Sequence, residues 1–176
     1  PDNIQIIRDV YGVPHIYAAK DSEVAYGYAW AQAEDHFKLI QQAYLAGNGL
    51  LGRRSGLKGA GADFLTQFIQ AEKTVNELYH TLDDKFITLL EAFTDGLNAF
   101  ALKHPNQVLE KKLFPITPKK LLRYTQLQLF ISNGADRLVT GIVNDNMSWP
   151  YEIEQDTKGS NLIAVSRSRT HSDQTF

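Results

Sequence analysis

Apolar residues recur at helical spacing through most of the chain, and only stretches near its two ends read as strands. Ile4-Gln5-Ile6-Ile7-Arg8 is predicted to be a strand. Asp9-Val10-Tyr11-Gly12-Val13-Pro14 follows as a turn, with a glycine able to take positive φ and a proline whose φ is fixed. His15-Ile16-Tyr17-Ala18 then reads as the returning arm of a hairpin. Next, Tyr26, Trp30, Ala33, Phe37, Ile40 and Tyr44 recur at steps of three and four, which makes one apolar stripe along a long helix. Asp21-Ser22-Glu23 is predicted to cap its start, with carboxylates in the first turn, and Gly47-Asn48-Gly49 to stop it.

Arg53 to Ala62 is basic and glycine-rich, and is expected to be a loop. It fails the phosphate-loop pattern, because Lys58 is followed by Gly59 rather than Ser or Thr. A second helix is predicted from Asp63 to about Tyr79. A third starts near Asp83, carries Phe86, Leu89, Leu90, Phe93, Leu97 and Phe100, and ends at His104-Pro105. Thr117-Pro118 is a helix start, with Thr as cap and Pro in the first turn, and that helix runs through Leu121, Leu122, Leu129 and Phe130 towards Arg137. Residues 141–159 lack periodicity and read as loop or spacer. Asn161 to Ser166 reads as a final strand, followed by a turn over 169–173.

Composition narrows the function classes. With 176 residues, 43% of them hydrophobic and 22% charged, the chain can build a core, either as one domain or as a piece of a larger one. A net charge of -2 gives no electrostatic case for nucleic acid. Without Cys there is neither a disulfide framework nor a thiolate metal site. No apolar run is long enough to span a bilayer, so no membrane partner is expected either. The chain begins at Pro1 and ends at Thr175-Phe176 as a strand begins, so it reads as a cut from a longer gene product.

The candidate chemistry centres on Lys158-Gly159-Ser160-Asn161, where a polar run gives way to an apolar, β-branched one. If the Gly159–Ser160 bond is cut, Ser160 carries a nucleophilic hydroxyl and an α-amine in one residue. That amine has a pKa of about 7.7–8.0, which suits a general base. The plain alternative is a Gly-Ser turn before an ordinary strand. His171-Ser172-Asp173 does not make a triad, since neighbours in a turn point apart. Asp35-His36 lacks a second His one turn on, so no zinc pair forms there. Glu34 and Asp35 interrupt an apolar helix and are expected to be solvated, or else buried and paired.

Four stretches taken in order resemble one family. Ile7-Arg8-Asp9-Val10-Tyr11-Gly12-Val13-Pro14-His15-Ile16 resembles the opening of the α chain of penicillin acylases and acyl-homoserine-lactone acylases. Tyr26 to Asp35 resembles the next block, Ile116-Thr117-Pro118-Lys119 a later helix start, and Gly159-Ser160-Asn161 the cut site that opens the β chain.

The resemblance implies a self-processing N-terminal-nucleophile amidohydrolase, periplasmic or secreted. The fold class would be α+β, a mostly helical fragment of an α-β-β-α sandwich. Residues 1–145 would be α chain, 146–159 spacer, and 160–176 the start of the β chain. Ser160 would be the catalytic residue, the cut would fall between Gly159 and Ser160, and Gly134, Arg137 and Leu138 would line the substrate pocket. Gly134 and Leu138 stand where penicillin enzymes carry Met and Phe, which suggests a roomier pocket and a longer acyl chain. The implied partners are the remainder of the β chain and a small acyl amide. No cofactor is implied. Calcium occurs in the family, but its acidic α-chain ligand has no clear counterpart near Asn144, so no metal site is carried over. A reading from a different class is a non-catalytic helical binding or scaffold module.

Overall fold

One helix, α1 (Asp21–Gly47), is the spine against which the hairpin and most of the other helices pack in this computed structural model, which describes residues 3–143. The chain divides into two compact units, Pro1–Thr140 and Gly141–Phe176, and of the second only 141–143 is described. The expected spacer, the Gly159–Ser160 site, the strand over 161–166 and the turn over 169–173 lie outside the described residues.

Strands β1 (Gln5–Arg8) and β2 (Pro14–Tyr17) form the expected antiparallel hairpin, with Ile6 opposite Ile16. It lies on α1 at Gly27, where an added Cβ would sit 2.8 Å from Ile16 and 2.9 Å from Ile4. The stripe read from the sequence faces the core. Ala33, Phe37 and Tyr44 are buried, and Trp30 and Ile40 pack at its margin. Helix α5 (Asp84–Lys103) runs against α1 and contributes Leu97 and Phe100, both buried. Phe100 meets Phe37 edge-on at 4.9 Å and Trp30 at 5.3 Å. Each fully buried side chain of this kind contributes roughly 1.5–3 kcal/mol.

Helix α6 (Pro118–Ser132) crosses α1 at Gly47, where a Cβ would lie 2.3 Å from the Tyr124 Cα. Glycine is therefore required there by close approach, while the positive φ past the helix end falls on Gly49, at φ 65. Asp83 caps α5 through the N–H groups of Lys85 and Phe86, where the sequence predicts a helix start, and Thr117 caps α6 through that of Lys120, as the sequence predicts. Between them, residues 105–107 and 111–113 make single 3-10 turns. No helix among the described residues is long and apolar enough to cross a membrane.

Four expectations need correction. Lys20, not Asp21, holds the extended cap position of α1, and the Glu23 carboxylate reaches back to accept the N–H groups of Ala19 and Lys20 at 3.2 and 3.1 Å.

Residues 53–62 are not a loop. They form α2 (Leu51–Ser55) and the start of α3 (Leu57–Phe68), broken at Gly56 with φ 58. The two are tied together by Asp63, whose carboxylate accepts the N–H groups of Leu51 and Gly52 at 2.8 Å each. Gly59 allows the backbones to touch, since a Cβ there would lie 2.6 Å from the Leu51 carbonyl. Both are contacts at a distance in sequence, which composition alone does not reveal.

The helix expected over 63–79 is split at Gln70, a non-glycine residue at φ 53, and resumes as α4 (Ala71–Leu78). The break turns α4 towards α6, where Glu72 pairs with Arg123 at 2.7 Å. Finally, α6 stops short of Arg137: Gly134 at φ 75 separates it from α7 (Ala135–Val143).

Candidate functional site

The first two sequence blocks are brought together by Arg8. From the end of β1 its guanidinium donates to the Gly12 carbonyl at 2.9 Å and spans to α1, pairing with Asp35 at 2.9 Å and Glu34 at 3.1 Å. Glu34 in turn accepts the Trp30 indole N–H at 2.9 Å. Glu34 and Asp35 are therefore paired but not buried, at about two-fifths side-chain exposure. One residue later the helix kinks, with His36 at φ -140, ψ 29.

The turn that presents Arg8 is built by Asp9. One carboxylate oxygen accepts the N–H groups of Tyr11 and Val13 at 2.9 Å each, and the other lies 3.3 Å from His15 Nε2. Gly12 takes the positive φ of 82 that the turn needs. The Val13 N–H, aided by His15 and Tyr11, lowers the Asp9 carboxyl below its ordinary pKa. The Asp35 and Glu34 hydrogen bonds likewise raise the pKa of Arg8.

The third block is clamped by a side-chain amide. Asn98 donates to the Ile116 carbonyl at 2.8 Å and accepts the Ile116 N–H at 2.7 Å, so Ile116 is buried and Thr117 is set to cap α6. Gln41, fully buried, does the same for the preceding connector: it donates to the Gln107 carbonyl at 3.0 Å and accepts the Leu109 N–H at 2.7 Å. Lys120 Nζ donates to the carbonyls of Leu113 and Pro115 at 2.6 and 2.9 Å. Burial pushes its pKa down, and neighbouring Arg123 adds to the shift.

Arg8, Gln41 and Asn98 were not singled out from the sequence. Gln41 left a signal, being a polar residue four positions after Phe37 on the core-facing side.

Of the residues expected to line a substrate pocket, Gly134 is the left-handed joint between α6 and α7, and it accepts the Arg137 N–H at 3.1 Å. Arg137 lies exposed in the first turn of α7, and Leu138 follows it in that helix. Gly159 and Ser160 lie outside the described residues. A cleft of about 320 Å³ between α1, α5 and α6 is lined by aromatic rings including Tyr28, Tyr44, Phe93 and Tyr124. Burial, helped by Tyr124, pushes the Tyr44 phenol up. The cleft offers apolar contact and hydroxyl groups, without a nucleophile beside a base among the described residues. No three His, Asp or Glu side chains converge as a metal site among the described residues.

A family model described as penicillin amidase matches residues 3–176. Over 149 residues the chain is 28% identical to penicillin G acylase of Escherichia coli, covering 76% of this chain and 16% of that protein. It is 22% identical over 181 residues to the acyl-homoserine lactone acylase PvdQ of Pseudomonas syringae pv. syringae (strain B728a), covering 94% of this chain and 23% of that protein. The chain thus spans under a quarter of these relatives. A solved thermostable penicillin G acylase from Alcaligenes faecalis superposes with a TM-score of 0.61 at 16% identity, over 91% of this chain and 98% of that one, and shares the fold. With a family match over nearly every residue and the fold of an acylase chain, the protein belongs to the penicillin amidase family.

Proposed function

We infer that this chain is part of the precursor of a periplasmic or secreted acylase that hydrolyses the amide bond of a small acyl amide. Residues 1–145 supply its α-chain region, 146–159 a spacer, and Ser160 the first residue of its β chain. The remainder of that β chain is the partner that completes an α-β-β-α sandwich. The observation that carries the reading is the Arg8 bridge, which joins two family-like sequence blocks more than twenty residues apart into one hydrogen-bonded unit.

In the reaction, the Ser160 hydroxyl oxygen bonds to the amide carbonyl carbon while the Ser160 α-amine takes its proton. The tetrahedral intermediate collapses, the C–N bond breaks, and the proton passes to the leaving amine. Water then hydrolyses the acyl ester, which frees the acid and restores the hydroxyl. No step is routed through calcium. Gly134, Arg137 and Leu138 belong to the acyl pocket in this reading, and the smaller residues at 134 and 138 leave room for a longer acyl chain.

Before cleavage the Ser160 nitrogen is a peptide amide, whose delocalised lone pair cannot act as a base near neutral pH. The 176-residue chain is therefore expected to lack amidase activity. The test is mass spectrometry of the chains, with assays on an acyl-homoserine lactone and a penicillin, in the full-length parent and its Ser160→Ala variant. The expected result is a chain beginning at Ser160 in the parent, and neither cleavage nor hydrolysis in the variant. Full activity of the variant would sink the mechanism. An uncleaved, inactive parent that still associates with other proteins would favour the binding-module reading.

A further inference from the structure

We propose that the outer face of α3 is a docking surface for an anionic lipid bilayer. At 100° per residue, Leu57, Gly61, Phe64 and Phe68 fall in one narrow stripe on this helix. The stripe lies on the side opposite Gly59 and Thr66, the two positions that α3 buries. The core therefore does not use it. Leu57 is 94% exposed, Phe64 53% and Phe68 55%, and the two phenylalanine rings stack on each other at 6.0 Å. Isolated exposed apolar residues are ordinary, but a continuous stripe of them marks an interaction surface.

Charge selects the occupant. From Leu51 to Ala62 the chain carries Arg53, Arg54 and Lys58 and no acid, although its overall net charge is -2. The next acid, Asp63, is turned inward to cap α2. Arg54 donates to the Leu109 carbonyl at 3.1 Å, while Arg53 and Lys58 are exposed and have no ion-pair partner among the described residues. An apolar-aromatic stripe with exposed cations close by in sequence matches a surface that is anionic outside and apolar a few ångströms in. The remainder of the protein is the competing occupant of this face, and the assembled full-length chain distinguishes the two. The lack of a spanning helix among the described residues concerns crossing a membrane, and this surface would lie on one.

The test is sedimentation of the assembled full-length protein with vesicles of phosphatidylcholine alone and of phosphatidylcholine mixed with phosphatidylglycerol. Binding to the anionic vesicles is expected, with loss as salt rises from about 0.1 M to about 1 M. Each cation near such a surface contributes roughly fivefold, so Arg53→Gln with Lys58→Gln lowers the partition coefficient about 25-fold. Phe64→Ser with Phe68→Ser lowers it by more than about tenfold, through lost apolar burial. Circular dichroism checks that both exposed pairs leave the fold intact, and the charge pair alone suffices if the aromatic pair does not fold. No binding, equal binding to neutral and anionic vesicles, or unchanged binding of the charge variant overturns the proposal. So does protection of α3 by the rest of the assembled protein.

Discussion

The same chemical change, glycine to alanine within a helix, is expected to have opposite signs at Gly96 and Gly61. Helix propensity favours Ala over Gly by about 1 kcal/mol at either position. At Gly61 nothing lies within 4 Å of the new Cβ, so propensity acts alone and stability rises by about 0.5–1 kcal/mol. At Gly96 the Cβ would lie 2.4 Å from the Tyr26 carbonyl oxygen and 2.9 Å from the Ala29 Cβ, and Ala29 is fully buried. Ordinary contact begins near 3.4 Å, so α5 must retreat from α1 by about 1 Å. A gap of that size forfeits a quarter to a half of each dispersion contact across the seam, including those of Leu97 and Phe100. Overpacking of this kind costs about 1–3 kcal/mol, and here the obstacle is backbone rather than a flexible tip, which places it at the upper end. The net expectation for Gly96→Ala is a loss of about 1–2 kcal/mol after the propensity gain. Urea unfolding of both variants, followed by circular dichroism, measures the two signs. A stabilised Gly96→Ala would refute the close crossing of α1 and α5.

Three further outcomes are expected. Phe37→Ala, which empties a site in contact with Phe100 and Phe114, costs about 3–5 kcal/mol in urea unfolding, and a loss under about 1 kcal/mol would show that the stripe does not face the core. Because the Asp9 carboxyl is lowered below its ordinary 3.8, its contribution to the hairpin turn is present above that value and lost as pH falls through the lower folded one. Protection of the Tyr11 and Val13 amides, measured as the exchange rate relative to an unstructured chain at the same pH, is therefore expected to persist down to pH 3.8 and to fall only below it, and loss of protection well above pH 3.8 would contradict the cap. On the proposed acylase reading, Leu138→Phe in the full-length parent is expected to shift preference towards short or aromatic acyl groups. Unchanged relative kcat/KM across acyl lengths would remove Leu138 from the pocket.

What could be read from the sequence follows the range of the interactions involved. The α1 stripe, the hairpin, the helix start near Asp83, the cap at Thr117 and the stop at Gly47 are local signals, each set within a turn or two of chain, and each appears where the sequence predicts it. The failures are non-local. Residues 53–62 look like a loop because Gly56, Gly59 and Gly61 lower helix propensity. They become helical because the Asp63 carboxylate accepts the unpaired N–H groups at the start of α2 and Gly59 lets α3 lie on it. The break at Gln70 carries no glycine or proline signal, and beyond it α4 buries Ala71 and Val75.

The candidate site follows the same logic. Glu34 and Asp35 were conspicuous as acids in an apolar helix, but their partner lies on another element and could not be chosen from spacing. Arg8 is one exposed cation among several in the sequence, and only the hairpin register brings it to the acids. Any one of these exposed pairs is worth about 0–1 kcal/mol. Their stabilising effect is therefore small, and their geometric effect is the larger one. A single planar guanidinium that fixes a turn carbonyl and two helix carboxylates at once sets the angle between hairpin and helix, which apolar contact at Gly27 alone leaves free to slide.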